Sequence, residues 1–141
     1  MWNGKHKTTG YTTTIVATRC GQLIYGSQPQ PGSVHDKKVL DTTGTKNVCD
    51  AAVDTIADKG YIGTRFLTPR KSSKNNPLTD ADHQFNKQIN SVRAPVERAI
   101  AHLKTWRVLH TDYRRPLHTW PDTYQTILGI QFLKQTTPAF E

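Results

Sequence analysis

Along the first part of the chain the apolar positions fall in short β-branched and aromatic runs, not at helical spacing. "YTTTIVAT" (residues 11–18) and "QLIYGS" (residues 22–27), separated by "RCG", predict two antiparallel strands joined by a short turn at Gly21. "PQPGS" breaks the chain, and "SVHDKKVL" opens on Ser33, which can cap a short helix whose first turn holds Asp36, where the helix dipole favours an acid. A further strand is predicted over residues 54–57, followed by Asp58 and a turn at Gly60.

The second half changes period. "FLTPRKSSKNNPLTDADHQ", with two prolines, a basic cluster and a Ser/Asn run, predicts an exposed loop. Thr79 then suits a helix N-cap, with Asp80 and Asp82 in the following turn, and helical sequence continues through Phe85 and Ile89 into residues 91–108. Pro95 demands a helix start or kink nearby, because it lacks the backbone donor of a helix interior. A last helix is predicted over residues 122–134, apolar at Tyr124, Ile127, Leu128 and Leu133.

A length of 141 residues predicts a single domain of mixed α/β class, and three Trp, five Tyr and four Phe argue for a folded core. Lys and Arg number 19 against 11 acids, a formal charge of +8, which favours a polyanionic partner, most often nucleic acid. Two cysteines, Cys20 and Cys49, are too few and too far apart for a metal knuckle or a disulfide framework and read as reduced thiols. No stretch reaches the roughly 18 apolar residues of a membrane span and no signal peptide is evident, so a cytoplasmic address is expected.

One acid stands out. Between His83 and Thr111 the only acidic side chain is Glu97, surrounded by Arg93, Arg98, Lys104 and Arg107. On a helix, Val92, Val96, Ile100 and Leu103 form an apolar stripe, and Glu97 lies at its margin in line with Arg93 and Lys104, a pattern R-x3-E-x6-K. Two readings stand at this point. Arg93 and Glu97 can form an i,i+4 salt bridge, or Glu97 can be a metal-binding carboxylate beside cations that hold phosphate. Asp58, after an apolar strand end and before a glycine, is a candidate partner for the second reading and a turn-forming residue for the first.

The ordered segments "WNGKHK", "PGSVHD", "ADKGY", "FNKQINSVRAPVERAIAHLKTWRVL" and "DYRRPL" resemble the C-terminal part of an insertion-sequence transposase of the DDE superfamily endonucleases, related to the Harbinger elements. The resemblance runs from Trp2 to about Phe132. It implies a ribonuclease H-like fold, a five-stranded mixed sheet with helices on both faces, and an Asp, Asp, Glu triad holding two Mg2+ (or Mn2+) ions. Asp58 matches the second aspartate and Glu97 the glutamate of that triad. Arg93, Glu97 and Lys104 match the family's Y-x2-R-x3-E-x6-K signature, while Asn90 stands at its tyrosine position. Asp36 falls in a family motif and is assigned a supporting role.

The first triad aspartate is expected on the first, central strand, upstream of "WNGKHK", and no acid precedes Asp36. The chain is therefore expected to be part of a catalytic domain and inactive alone, either a relic or the second of two reading frames whose partner product supplies that strand. Element ends and target DNA are the implied partners, with Arg93, Lys104 and Arg107 on phosphates and Lys5, Lys7, Arg70, Lys71 and Lys74 adding non-specific affinity. Homo-oligomers and a nucleoid location are implied for the intact protein. A regulatory DNA-binding module without catalysis is the alternative reading.

Overall fold

The computed structural model describes residues 2–3, 8–52 and 54–136. Among the described residues six short strands form three two-stranded antiparallel sheets: β1 (Trp2–Asn3) with β2 (Thr8–Thr9), β3 (Tyr11–Thr12) with β6 (Gln30–Pro31), and β4 (Ile15–Ala17) with β5 (Leu23–Gly26). The last pair is the predicted hairpin. Its turn is closed by Gly21, at φ +87°, whose N–H donates to the Thr18 carbonyl at 2.9 Å. The ladder is shorter than residues 11–18 and 22–27 because the run of threonines breaks it. The Thr14 N–H turns to the Ser27 hydroxyl at 2.8 Å, and Tyr11–Thr12 pairs onward with Gln30–Pro31.

Both faces of this hairpin are covered. Its register pairs Ile15 with Gly26, Val16 with Tyr25 and Ala17 with Leu23, so Ile24 is an extra residue on β5. Leu23 and Tyr25 would share a face of a regular strand, and the irregularity puts them on opposite ones. Ile15 and Leu23 join one core, with Leu103, Tyr124, Ile127 and Leu128. Val16 packs into a second, with Leu40, Cys49 and Phe66, while the Tyr25 hydroxyl donates to the Thr43 carbonyl at 2.5 Å. Ile24, on neither side, is half exposed.

The second core is roofed by α1 (Asp36–Thr42) and α2 (Thr45–Asp50). His35, not Ser33, caps α1, its Nδ1 accepting from the Lys37 N–H at 3.3 Å. Cys20 and Cys49 are both free, and burial first, then the charge of Asp50, pushes the Cys49 thiol up. The strand predicted over residues 54–57 is reduced to one parallel bridge, Ile56 with Leu67, flanked by Ala57 N–H to Leu67 carbonyl and Leu67 N–H to Thr55 carbonyl, both 2.9 Å. Phe66 and Pro69 are buried, so the start of the predicted exposed loop belongs to the core. Its next stretch is pinned to the following helix, the Asn86 amide pairing with both the N–H and the carbonyl of Arg70 at 2.7 and 3.0 Å.

Helix α3 (Asp80–Lys104) begins at Thr79 with a full capping box, the Thr79 hydroxyl accepting from the Asp82 N–H and Asp82 accepting from the Thr79 N–H. It continues through Pro95, which is therefore not a helix start. The missing donor costs the Ser91 carbonyl its partner, but that turn is backed by Gly21, close enough that a Cβ there would lie 3.3 Å from the Pro95 carbonyl oxygen. The helix ends at Lys104 and not at Val108, because Arg107–Leu109 form a 3-10 turn that packs Trp106, Val108 and Leu109 into the first core. Helix α4 (Trp120–Thr136) buries Tyr124, Ile127 and Leu128 as expected. Leu133 is exposed instead: five residues beyond Leu128 it has turned roughly 140° away, and Phe132 packs in its place. The Gln135 amide closes the edge of β5, accepting from the Leu23 N–H at 2.7 Å and donating to its carbonyl at 3.1 Å. Among the described residues no helix is long and apolar enough to cross a membrane.

Leu128→Ala should lower the urea unfolding free energy by about 2–5 kcal/mol, the range for truncating a fully packed leucine. The capping box gives a second check. The Thr79 backbone N–H, then the Arg70 guanidinium and the Thr79 hydroxyl, hold the Asp82 carboxyl at about 2, below its ordinary 3.8. Its contribution is full above the ordinary value and disappears as pH falls toward the lowered one. Thermal melts between pH 4 and pH 2 should therefore show a steeper loss for the wild type than for Asp82→Asn.

Candidate active site

Asp58 is presented by a local device. The paired segment ending at Ala57 delivers it to the N-cap of a 3-10 helix (Lys59–Tyr61), where its Oδ1 accepts from the Lys59 N–H at 2.7 Å. Gly60 lets another carboxylate approach, since a Cβ there would sit 3.1 Å from Asp36 Oδ2. Asp36 opens α1, so the two acids come from separate elements to one turn. Beneath them the Tyr61 hydroxyl meets the Thr14 hydroxyl at 3.3 Å. Burial, and behind it the negative charges of Asp36 and Asp58, push the Tyr61 phenol up, against the Thr14 contact.

Glu97 reaches the same place from α3 through Arg93. One guanidinium nitrogen, Nη1, lies 3.4 Å from Asp58 Oδ1, and the other, Nη2, lies 3.5 Å from Glu97 Oε1. Nη1 also donates to Asn90 Oδ1 at 3.4 Å. The arginine side chain is 20% exposed, while those of Asp58 and Glu97 are 61% and 65% exposed, so the cation sits under two carboxylates open to solvent. The i,i+4 bridge exists, and it forms half of a three-residue array. Asn90 occupies the tyrosine position of the signature and serves here as an acceptor, an i,i+3 relation that the spacing alone could have suggested.

The remaining candidates are scattered. Lys104 is exposed in the last turn of α3, where the dipole favours a cation, and Arg107 is exposed just beyond. Arg70 is engaged by Asp82 and by the Phe85 ring, 5.0 Å from its centroid. Lys71 and Lys74 are exposed on the loop. Lys5 and Lys7 lie outside the described residues. No local signal announced that Arg70 would be held by α3 or that Asp36 would approach Gly60, because both contacts join distant segments.

Residues 1–131 match the DDE superfamily endonucleases. The chain belongs to that family. It is 35% identical over 88 residues to a putative transposase for insertion sequence element IS112 of Streptomyces albus G, covering 62% of this chain and 34% of that protein. It is 32% identical over 108 residues to a probable transposase for insertion sequence element IS702 of Microchaete diplosiphon, covering 73% of this chain and 38% of that protein. The chain thus spans little more than a third of the length of these relatives. No solved structure matches it.

Carboxylate oxygens are the donors a hard divalent cation takes, and Asp58 and Glu97 converge on one cationic group, so in kind they fit such a site. In number they fall short: among the described residues no group of three or more His, Cys, Asp or Glu side chains is placed to hold a metal ion.

An exposed i,i+4 pair contributes about 0.2–0.5 kcal/mol. Glu97→Gln should therefore shift the urea unfolding free energy by no more than about 0.5 kcal/mol. A loss several times larger would identify Glu97 as a structural residue.

Proposed function

We propose that residues 1–141 form part of the catalytic domain of a DDE transposase, whose intact form cuts DNA at element ends and joins it to target DNA. The observation that carries this reading is the meeting of Asp58 and Glu97, from segments on either side of a long loop, at one guanidinium. In this reading both are ligands of Mg2+ or Mn2+, and Asp36, close to Gly60, supports that turn. The bound ions would act as Lewis acids that neutralise charge building on the phosphate during transfer. The protein's own share is to hold the two carboxylates together and to grip the DNA backbone through Arg93, Lys104 and Arg107.

Several features support a ribonuclease H-like arrangement. Helices cover both faces of the β4–β5 hairpin, and the isolated parallel bridge Ile56–Leu67 adds to the antiparallel pairs the second kind of pairing that a mixed sheet combines. No acid precedes Asp36 in the sequence, so the triad needs a first aspartate from a strand outside residues 1–141, whether from the same polypeptide or from the product of an upstream reading frame. Assembly into homo-oligomers on paired DNA ends belongs to the same proposal. The formal charge of +8 equally favours a second reading, a regulatory module that binds DNA without catalysis.

A gel-shift series on duplex DNA across salt concentrations, combined with a strand-cleavage assay in Mg2+, tests these claims. Binding should weaken steeply with salt, and Lys71→Ala and Lys74→Ala should each reduce the salt slope by about one. Residues 1–141 alone should produce no cleavage. Mg2+-dependent cleavage that disappears in Glu97→Gln would remove the need for an external aspartate, and DNA binding insensitive to salt would reject the phosphate-contact assignments.

A further inference from the structure

We infer that Arg93 is an internal counter-ion of the carboxylate site, a cation that divalent metal must displace before Asp58 and Glu97 can act as ligands. The inference rests on the proposed metal-ligand reading of those two residues. Its basis is geometric: one planar guanidinium contacts both carboxylates through different nitrogens, at 3.4 and 3.5 Å. Each acid offers it one oxygen, Oδ1 and Oε1. Among the described residues Asp58 Oδ2 and Glu97 Oε2 have no hydrogen-bond or ion-pair partner.

The contacts are also long. Tight guanidinium–carboxylate hydrogen bonds lie at roughly 2.7–2.9 Å, and these are about half an ångström beyond. A clasp of that kind keeps two like charges from separating without binding either strongly. Asn90 Oδ1, 3.4 Å from Nη1, gives the guanidinium an uncharged acceptor on its own helix once it lets go of Asp58. A released Arg93 would keep its charge at the margin of the site, where a DNA phosphate would be its next partner. Metal entry and phosphate binding would then be coupled through one side chain: each favours the position of Arg93 that the other needs.

The test is Mn2+ binding to the whole chain, followed by the electron spin resonance signal of free Mn2+, with circular dichroism verifying that each variant is folded. Arg93→Gln should bind Mn2+ about fivefold or more tightly than the wild type, the factor that one unit charge a few ångström away produces even in bulk water. Arg93→Lys, which keeps the charge, should stay close to wild type. Arg98→Gln removes the same charge from an exposed neighbour that touches neither carboxylate and should change affinity less than twofold. Glu97→Gln should weaken binding in the Arg93→Gln background. Unchanged or weaker Mn2+ binding in Arg93→Gln, or equal tightening in Arg98→Gln, would overturn the counter-ion role while leaving Asp58 and Glu97 as ligands. Binding indifferent to Glu97→Gln in every background would instead overturn the metal-ligand reading on which the inference stands, and no binding even in Arg93→Gln would overturn the inference that Arg93 is what keeps metal out.

Discussion

The constraint on which this structure depends is that a hairpin of seven strand residues, β4 (Ile15–Ala17) and β5 (Leu23–Gly26), is covered on both faces. A strand pair with one wet face could have kept a regular alternation. Here Leu23 is needed in the core under α3 and α4, and Tyr25 is needed against the end of α1, although two residues apart they would share a face. The extra residue Ile24 resolves the conflict by shifting register, at the cost of leaving a large apolar side chain half in solvent. The outer edge of β5 at Leu23 is then closed by a side chain, the Gln135 amide, and not by another strand.

The candidate site is a product of that two-layer arrangement. α3 lies on one side of the hairpin, packing against β4, and the 3-10 turn after Asp58 lies with α1 on the other. Arg93 spans the boundary between the layers, from α3 to Asp58. Tyr61, from the same turn, reaches back to Thr14 at the head of the hairpin and fixes the height of the turn against the sheet. Asp58 thus owes its position to three separate supports: the bridge to Leu67, its own cap on Lys59, and the Tyr61 anchor.

What could be read from the sequence follows the range of the interaction concerned. The Thr79–Asp82 capping box, the Gly21 turn and the apolar face of α4 at Tyr124, Ile127 and Leu128 are set by residues a few positions apart, and their residue types announce them. The Arg93–Glu97 pair was legible for the same reason. The parallel contact of Ile56 with Leu67, the burial of Phe66 and Pro69, the capture of Arg70 and the reach of Arg93 to Asp58 are not local, and no periodicity encodes them. Pro95 shows the opposite case: proline is disfavoured in a helix interior, yet α3 runs through it, because packing of a long amphipathic helix outweighs one lost hydrogen bond. The family resemblance suggested the metal-ligand reading of Asp58 and Glu97, where composition alone left two readings open.

Magnitudes favour chemistry over stability as the reason for the Asp58, Arg93, Glu97 array. Two exposed carboxylates at 3.4 and 3.5 Å from one cation contribute at most about 1 kcal/mol each to folding, much less than one well-packed leucine in the first core. Two acids brought together from different elements, in a chain whose charge is otherwise strongly positive, repel each other and are held by a single group. In the proposed reading that geometry has a use, because a third carboxylate added to the pair would complete an oxygen-rich pocket that a divalent cation can enter. Among the described residues β4 pairs only with β5 and Ile56 is bridged only to Leu67, while Val16 and Ala57, one from each segment, pack into the same core. In the proposed reading, the strand that carries the third carboxylate would find unpaired backbone groups at these edges.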